Sequence, residues 1–215
     1  MELNKFIDHT LLKADATTED IVKLCLEAKK YQFMSVCVNP FFVPVAKALL
    51  RATPIKVCTV VGFPLGASMP KVKAFEAAQA VREGADEVDM VINVAMAKEK
   101  NFDYVSEEVA MVRAAIPNTV VLKVILECCY LDKRTMVKAA GAARDGGADF
   151  VKTSTGFGPS GAKVEDVRLL KQALGDSCLI KASGGIHTRK QALALISAGA
   201  RRLGCSASVA IMEGN

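Results

Sequence analysis

The stretch REGADEVDM (residues 82–90) carries the signal that decides the fold. Its helical segment ends at Gly84, and glycine accepts the left-handed backbone that commonly terminates a helix. A short apolar, strand-like run follows at once. The same helix exit and strand entry recur at RDGGADFVK (residues 144–152) and SAGARRLGC (residues 197–205). The chain is therefore predicted to alternate helices with short strands.

Eight short apolar runs form the predicted strands. They lack polar–apolar alternation, which favours parallel strands buried on both faces. The predicted strands cover residues 6–10, 35–39, 56–63, 87–93, 120–127, 150–155, 178–183 and 202–206. Helical patterns lie between them, at residues 17–32, 71–86, 103–118, 132–149 and 189–201.

Eight strands alternating with helices in 215 residues predict an α/β protein with one (β/α)8 TIM barrel. Residues 1–215 are expected to form a single catalytic domain. A doubly wound open sheet is the structural alternative, but it usually has about five or six strands. The segment GFGPSG (residues 156–161) follows a strand without the spacing of a dinucleotide-binding fingerprint.

The composition argues against several classes of protein. Basic residues are scattered, the net charge is only +5 and there is no Trp, so nucleic-acid binding has little support. No apolar stretch approaches the roughly 18 residues of a membrane span. Seven cysteines without a CxxC pair, and an N-terminus without a signal-peptide pattern, suggest a reducing, cytoplasmic environment.

Three successive predicted strands each carry one lysine among apolar neighbours. Lys123, Lys152 and Lys181 lie 29 residues apart, and Asp89 occupies an equally apolar strand. Inward side chains near the carboxyl ends of barrel strands converge on the active-site mouth. A buried ammonium group is costly, so it either pairs with an anion or loses its proton.

These charged residues have structural and functional interpretations. Strand lysines can extend to solvent at barrel ends, and Asp89 could simply neutralise one of them. In the functional interpretation, apolar walls and neighbouring cations favour a neutral lysine amine, which attacks a carbonyl group and forms a Schiff base. A second lysine and a carboxylate then assist proton transfer. We therefore predict Lys152 as the nucleophile, with a second strand lysine and Asp89 beside it.

Metal-dependent and serine-dependent chemistry are weaker alternatives. Only His9 and His187 are present, and the cysteines lack the spacing of metal ligands, so no metal cofactor is expected. A structural role is the better prediction for His9. No GxSxG motif is present for a serine nucleophile.

Glycine-rich segments follow the last two predicted strands. KASGGIHT (residues 181–188) and LGCSAS (residues 203–208) each lead towards a helix. Free amides at glycines and at a helix N-terminus bind anions, and barrels often bind phosphate in these loops. STGFG (residues 154–158) could add amides, so a small phosphorylated carbonyl compound is the predicted substrate.

Three motifs together give the sequence a specific resemblance. EVDMVIN (residues 87–93), VKTSTGFG (151–158) and KASGGI (181–186) resemble deoxyribose-phosphate aldolases, and IDHTLLK (7–13) agrees. The resemblance covers essentially the whole chain. It implies a metal-free class I aldolase on a (β/α)8 barrel, acting in deoxyribose phosphate breakdown. Such enzymes reversibly cleave 2-deoxy-D-ribose 5-phosphate to D-glyceraldehyde 3-phosphate and acetaldehyde, and homo-oligomers (dimers or tetramers) are common among them.

The resemblance also implies roles for individual residues. It assigns the Schiff base to Lys152, the second catalytic lysine to Lys181 and proton transfer to Asp89. The residues implied to bind substrate or phosphate are Gly184, Gly185, Gly156, Ser206 and Lys123. The sequence departs from the family pattern at His187 (usually Arg), Cys128 (commonly Thr) and Phe157 (Lys in some members).

Two other functions remain open from sequence. One is a different Schiff-base lyase or a transaldolase-like transferase on the same barrel. The other is a barrel that binds sugar phosphates without turnover. Such a binding protein would have no need for Lys152, Lys181 and Asp89 together, so their joint presence favours an enzyme.

Overall fold

The computed structural model describes residues 2–214 and contains a closed barrel of eight parallel strands. Each strand pairs with its neighbour in sequence, and β1 closes the barrel by pairing with β8. The predicted (β/α)8 barrel is therefore confirmed. The strands are β1 Ile7–Leu11, β2 Ser35–Val38, β3 Lys56–Val61, β4 Glu87–Val91, β5 Val121–Ile125, β6 Phe150–Lys152, β7 Leu179–Ser183 and β8 Arg202–Cys205.

Helices surround the barrel, and each of the five predicted helical patterns contains one. The sequence patterns did not single out α2, α4, α7 and α9. The helices are α1 Thr18–Tyr31, α2 Val43–Leu50, α3 Pro70–Arg82, α4 Val94–Lys98, α5 Phe102–Ala114, α6 Lys133–Asp145, α7 Val164–Leu174, α8 Arg189–Ser197 and α9 Ser208–Glu213.

The strands extend from Ile7 to Cys205, and the assignment of residues 1–215 to one catalytic domain stays a prediction. Within residues 2–214, none of the helices is both long enough and apolar enough to cross a membrane.

All eight predicted strands form, although several end earlier than predicted. The largest difference is in β6, which was predicted over residues 150–155 and ends at Lys152. The backbone amide of Thr155 donates to the Glu127 carboxylate, at 3.2 Å, instead of continuing the strand ladder. Lys152 is consequently the last residue of its strand, at the carboxyl end of the barrel.

The three glycines that follow helices in the repeated sequence pattern end those helices with the same backbone geometry. Gly84, Gly147 and Gly199 have φ angles of 111°, 96° and 121°. After each glycine, an alanine amide donates back to a carbonyl in the last helical turn, as in a Schellman motif. These bonds are Ala85 to Ala80 (3.0 Å), Ala148 to Ala143 (3.1 Å) and Ala200 to Leu195 (3.1 Å).

The interior of the barrel is unusually polar. Side chains from alternate strands form layers inside such barrels, and branched apolar residues normally dominate them. Here the strand registers give a middle layer of Asp8, Cys58, Lys123 and Lys181, and a layer nearer the carboxyl ends of Cys37, Asp89, Lys152 and Gly204. The apolar core lies instead between strands and helices, where Val36, Val57, Val88 and Leu122 are fully buried.

Two glycines near the end of α6 should respond oppositely to a methyl group. Gly147 has φ of 96°, and an added Cβ would lie 3.0 Å from Arg113 Cγ. We expect Gly147→Ala to lower the free energy of unfolding by about 1–2 kcal/mol. Gly141 lies within the helix with nothing within 4 Å of an added Cβ, so Gly141→Ala should raise it by about 0.5–1 kcal/mol. Urea unfolding of both variants tests this, and equal effects would contradict it.

Candidate active site

A cleft of about 350 Å³ opens at the carboxyl ends of β1, β6, β7 and β8. Five of the eight site residues predicted from sequence line it, namely Lys152, Gly156, Gly184, Gly185 and Ser206. Phe157 and His187, two of the departures from the family pattern, also line the cleft. A surface cavity of about 500 Å³ near Lys100 and Lys138 contains none of the predicted site residues.

Beneath the cleft, six buried side chains form a closed ring of alternating charge. The ring runs from Asp89 through Lys181, Asp8, Arg202, Glu87 and Lys123 back to Asp89. In that order, the N–O distances are 2.7 Å, 2.5 Å, 2.7 Å, 2.7 Å, 2.6 Å and 2.9 Å. Three cations and three carboxylates alternate, so this charge ring is neutral when all six groups are ionised.

The charge ring holds its members in their ionised forms. Burial alone would raise the pKa of Asp89, but Lys123, Lys152 and Lys181 outweigh burial and hold its pKa well below the ordinary value. Burial alone would lower the pKa of Lys181, but Asp8 and Asp89 raise it well above the ordinary value. The ring therefore contains a stable carboxylate and a stable ammonium next to each other.

Lys152 is a seventh charged group attached to this balanced ring. Its Nζ donates to Asp89 Oδ2 at 2.8 Å, and Lys181 donates to the same oxygen at 2.7 Å. Each ring cation contacts two carboxylates, whereas Lys152 shares a single one. Lys152 is also the only one of these four cations that lines the cleft.

The remaining three predicted site residues lie behind Lys152. Asp89 and Lys181 are fully buried, at 0 % exposure. Asp89 Oδ2 accepts a hydrogen bond from Lys152 Nζ, and Lys181 Nζ donates to the same oxygen. Lys123, which the resemblance implied would line the site, is also 0 % exposed. It contacts Asp89 and Glu87, so the structure places it as a support for Asp89, away from the cleft surface.

Sequence reasoning missed half of the charge ring. Asp8, Glu87 and Arg202 lie near the starts of their strands, where a charge ordinarily indicates a solvent-exposed strand end. The spacing of Glu87 and Asp89 was an available signal, because residues two apart on a strand face the same side. Nothing local in the sequence marks Arg202 as buried.

A carboxylate outside the charge ring, that of Glu127, holds the loop after β6. Glu127 is 3 % exposed, has a left-handed backbone with φ of 52°, and accepts hydrogen bonds from both the amide and the hydroxyl of Thr155. The Thr155 hydroxyl oxygen in turn accepts from the amide of Phe157 at 3.0 Å. These bonds fix Gly156 between two anchored residues at the edge of the cleft.

The glycine loops leave open space for an anion. Gly156, Gly184 and Gly185 have φ angles of 90°, 86° and 71°. A Cβ added at Gly156 or Gly185 would have nothing within 4 Å, so the backbone there is accessible at close range.

The start of α8 is capped by a side chain. The Gln191 side chain accepts from the amides of His187 (2.9 Å) and Thr188 (3.1 Å), and the Thr188 hydroxyl accepts from the Gln191 amide in return. This capping box occupies the two amides just before the helix. The expectation that amides at this helix N-terminus bind the anion stays a prediction.

The residues considered for metal binding have other partners. His9 is 3 % exposed and its Nε2 lies 2.8 Å from Glu27, while burial lowers its pKa, as suits the predicted structural role. Cys37, Cys58 and Asp89 lie within 4.8 Å of one another. Three lysine side chains already contact Asp89, so the cluster of Cys37, Cys58 and Asp89 is poorly suited to binding a metal cation.

Comparison with known proteins agrees with the barrel. The DeoC/LacD family of aldolases matches residues 3–211. The chain is therefore an aldolase of the DeoC/LacD family, built on the (β/α)8 barrel described above. The family expected from the sequence motifs is thereby confirmed.

The similar proteins carry consistent names. A deoxyribose-phosphate aldolase of Finegoldia magna is 56% identical over 100% of both chains, and one of Thermoanaerobacter sp. is 54% identical over 99% of this chain and 96% of its own. The crystal structure of a putative deoxyribose-phosphate aldolase from Coccidioides immitis superposes with a TM-score of 0.96 at 40% identity, covering 99% and 85% of the two chains.

Removing one carboxylate of the charge ring should be costly. Asp8→Asn leaves Lys181 and Arg202 with one carboxylate each, and we expect the free energy of unfolding to fall by about 3–5 kcal/mol. Asp176→Asn, which changes an exposed ion pair with Lys171, should have little effect. Urea unfolding at neutral pH measures both.

The pH dependence of the free energy of unfolding of these variants separates the effect of the lost Asp8 charge from any effect on packing. Lys181 and Arg202 outweigh burial and hold the pKa of Asp8 below its ordinary value of 3.8. Its contribution to stability is thus present above that value and is lost as the pH falls below it. The acid loss of stability should be shallower in Asp8→Asn than in the unmodified protein, and parallel curves would contradict the ring's role.

Proposed function

We propose that the chain is a deoxyribose-phosphate aldolase that forms its Schiff base on Lys152. It cleaves 2-deoxy-D-ribose 5-phosphate reversibly to D-glyceraldehyde 3-phosphate and acetaldehyde. The observation that carries this proposal is the position of Lys152, which faces the cleft and is surplus to a neutral charge ring. The names of relatives above 50% identity supply the substrate.

The charge ring explains why a lysine can act as a nucleophile here. With Lys152 protonated, the seven buried groups carry one excess positive charge, and with Lys152 neutral they balance. Buried charge is tolerated only when it is compensated. Lys152 has the fewest carboxylate contacts of the four basic side chains and is the one that lines the cleft, so its amine is the one placed to attack a carbonyl.

The reaction follows from this amine. Lys152 Nζ attacks C1 of the open-chain sugar, and loss of water gives an iminium ion. Removal of the C3 hydroxyl proton releases the electron pair that breaks the C2–C3 bond, and the iminium accepts that pair as an enamine. D-glyceraldehyde 3-phosphate leaves. Protonation at C2 and hydrolysis then release acetaldehyde and restore the amine.

Asp89 and Lys181 assist the two proton transfers, removal of the C3 hydroxyl proton and protonation at C2. They are fully buried behind Lys152, so they reach the substrate through Lys152 or a water molecule. Lys123, Lys152 and Lys181 hold the pKa of Asp89 well below its ordinary value. When the iminium on Lys152 becomes a neutral enamine, a positive charge beside Asp89 is lost, and Asp89 is a better proton acceptor at that step. Lys181 remains charged because Asp8 also holds it.

The remaining expectations follow the same reaction. The iminium is the electron sink, so the mechanism needs no metal or organic cofactor. Gly156, Gly184, Gly185 and Ser206 bind the phosphate. The relative from Aeropyrum pernix, 35% identical over 98% of this chain with a TM-score of 0.88, is described as tetrameric, and we propose a homo-oligomer here also. We place the protein in the cytoplasm, with no nucleic-acid partner.

Trapping with borohydride tests the proposal. Acetaldehyde and borohydride, in a buffer containing EDTA, should add an ethyl group to Lys152, located by peptide mass mapping. Lys152→Arg should abolish both labelling and turnover, because arginine stays charged and cannot form an imine. Lys171→Arg, a conservative change of an exposed lysine, should leave both unchanged. Labelling mainly at Lys123 or Lys181, or none until a metal is added, would refute the proposal.

A further inference from the structure

Among the residues that line the cleft from the loops after β6, β7 and β8, none is a lysine or an arginine. His187 stands where the resemblance usually has arginine, and Phe157 stands where some members have lysine. The amides of His187 and Thr188, just before α8, already donate to the Gln191 side chain. A phosphate monoester carries nearly two negative charges at neutral pH. The glycine backbone alone offers only dipoles to balance them.

Lys13 supplies a cation at this cleft from the other end of the chain. It follows β1 by two residues, is exposed, and lines the same cleft as Gly184, Gly185 and Ser206. Lys13 and Lys152 are the only lysine or arginine residues among the cleft-lining residues described, and Lys152 lies at the cleft floor.

Closure of the barrel explains how Lys13 comes close to the phosphate loops. β1 pairs with β8 through Ile7 with Leu203 and His9 with Cys205. The segment after β1 therefore adjoins the segment after β8, which contains Ser206. The Lys13 carbonyl accepts from Asn39 Nδ2 (3.2 Å) and from the amide of Ala16 (3.3 Å), so its backbone is held in place.

The ammonium group of Lys13 is available for a ligand. Across residues 2–214, no carboxylate lies within ion-pair distance of its Nζ. The nearby carboxylate of Asp20 already accepts from the amide (2.8 Å) and hydroxyl (2.7 Å) of Thr17. A charge-assisted contact to phosphate would satisfy Lys13 at the cleft entrance.

We infer that Lys13 is a substrate-binding residue that pairs with the 5-phosphate and sets the preference for phosphorylated over unphosphorylated sugars. This inference rests on the proposed function for the identity of the sugar. The binding of a phosphate group by Lys13 does not depend on that function, because Lys13 and the glycine loops would also bind inorganic phosphate.

Lys13→Met removes the charge and keeps much of the side-chain length. We expect KM for deoxyribose 5-phosphate to rise about tenfold, with kcat changed less than about twofold. The kcat/KM for unphosphorylated 2-deoxyribose should stay within about twofold, and Lys13→Arg should restore most of the lost affinity. Lys190→Met is the matched control, since Lys190 lines the neighbouring groove beside Gly185 and Ile186 and is absent from the cleft.

Calorimetric binding of inorganic phosphate separates this inference from the proposed function. Phosphate should bind the unmodified protein and Lys190→Met equally, and Lys13→Met about tenfold more weakly, whether or not the sugar is cleaved. If Lys13→Met binds phosphate as tightly as the unmodified protein, or loses activity equally on phosphorylated and unphosphorylated sugars, the inference is overturned.

Discussion

The charge ring under the cleft is the constraint on which the rest of the structure depends. Asp89, Lys181, Asp8, Arg202, Glu87 and Lys123 balance one another at N–O distances of 2.5–2.9 Å. Its members come from five different strands, and Asp8 meets Lys181 and Arg202 only because β1 closes against β8. The ring therefore exists only in the complete barrel.

Filling the barrel interior with such a ring costs desolvation free energy. Buried ion pairs seldom add net stability, because desolvation offsets most of their attraction. The stability of this fold comes instead from the apolar layer between strands and helices. In the proposed function the ring's contribution is chemical, since the balanced set of charges leaves one additional lysine, the one of the four basic side chains that lines the cleft, without an anion of its own. That proposal would account for a polar interior where packing alone would favour branched aliphatic side chains.

Much of this architecture was predictable from sequence, for identifiable reasons. Near-continuous apolar runs and repeated glycine stops predicted eight parallel strands, and lysines in three successive strands indicated a common site. The position of Lys123 behind Asp89 was not predictable, because local sequence does not show how deep a residue lies in a barrel. Asp8 and Arg202 were missed because they contact each other from opposite ends of the chain. The capping of the His187 and Thr188 amides depends on Gln191, which the glycine pattern did not indicate.

The central proposal is that the arrangement of the charge ring makes Lys152 the nucleophile. Lys123→Met tests it most directly, because Lys123 is 0 % exposed, lies outside the cleft and balances Asp89 and Glu87. In this variant Lys152 would become the balancing cation. The rate of borohydride trapping with acetaldehyde, measured from about pH 5 to 10, should rise only at higher pH than in the unmodified protein, while Lys123→Arg should retain the original profile. An unchanged profile in a folded Lys123→Met protein would contradict the account.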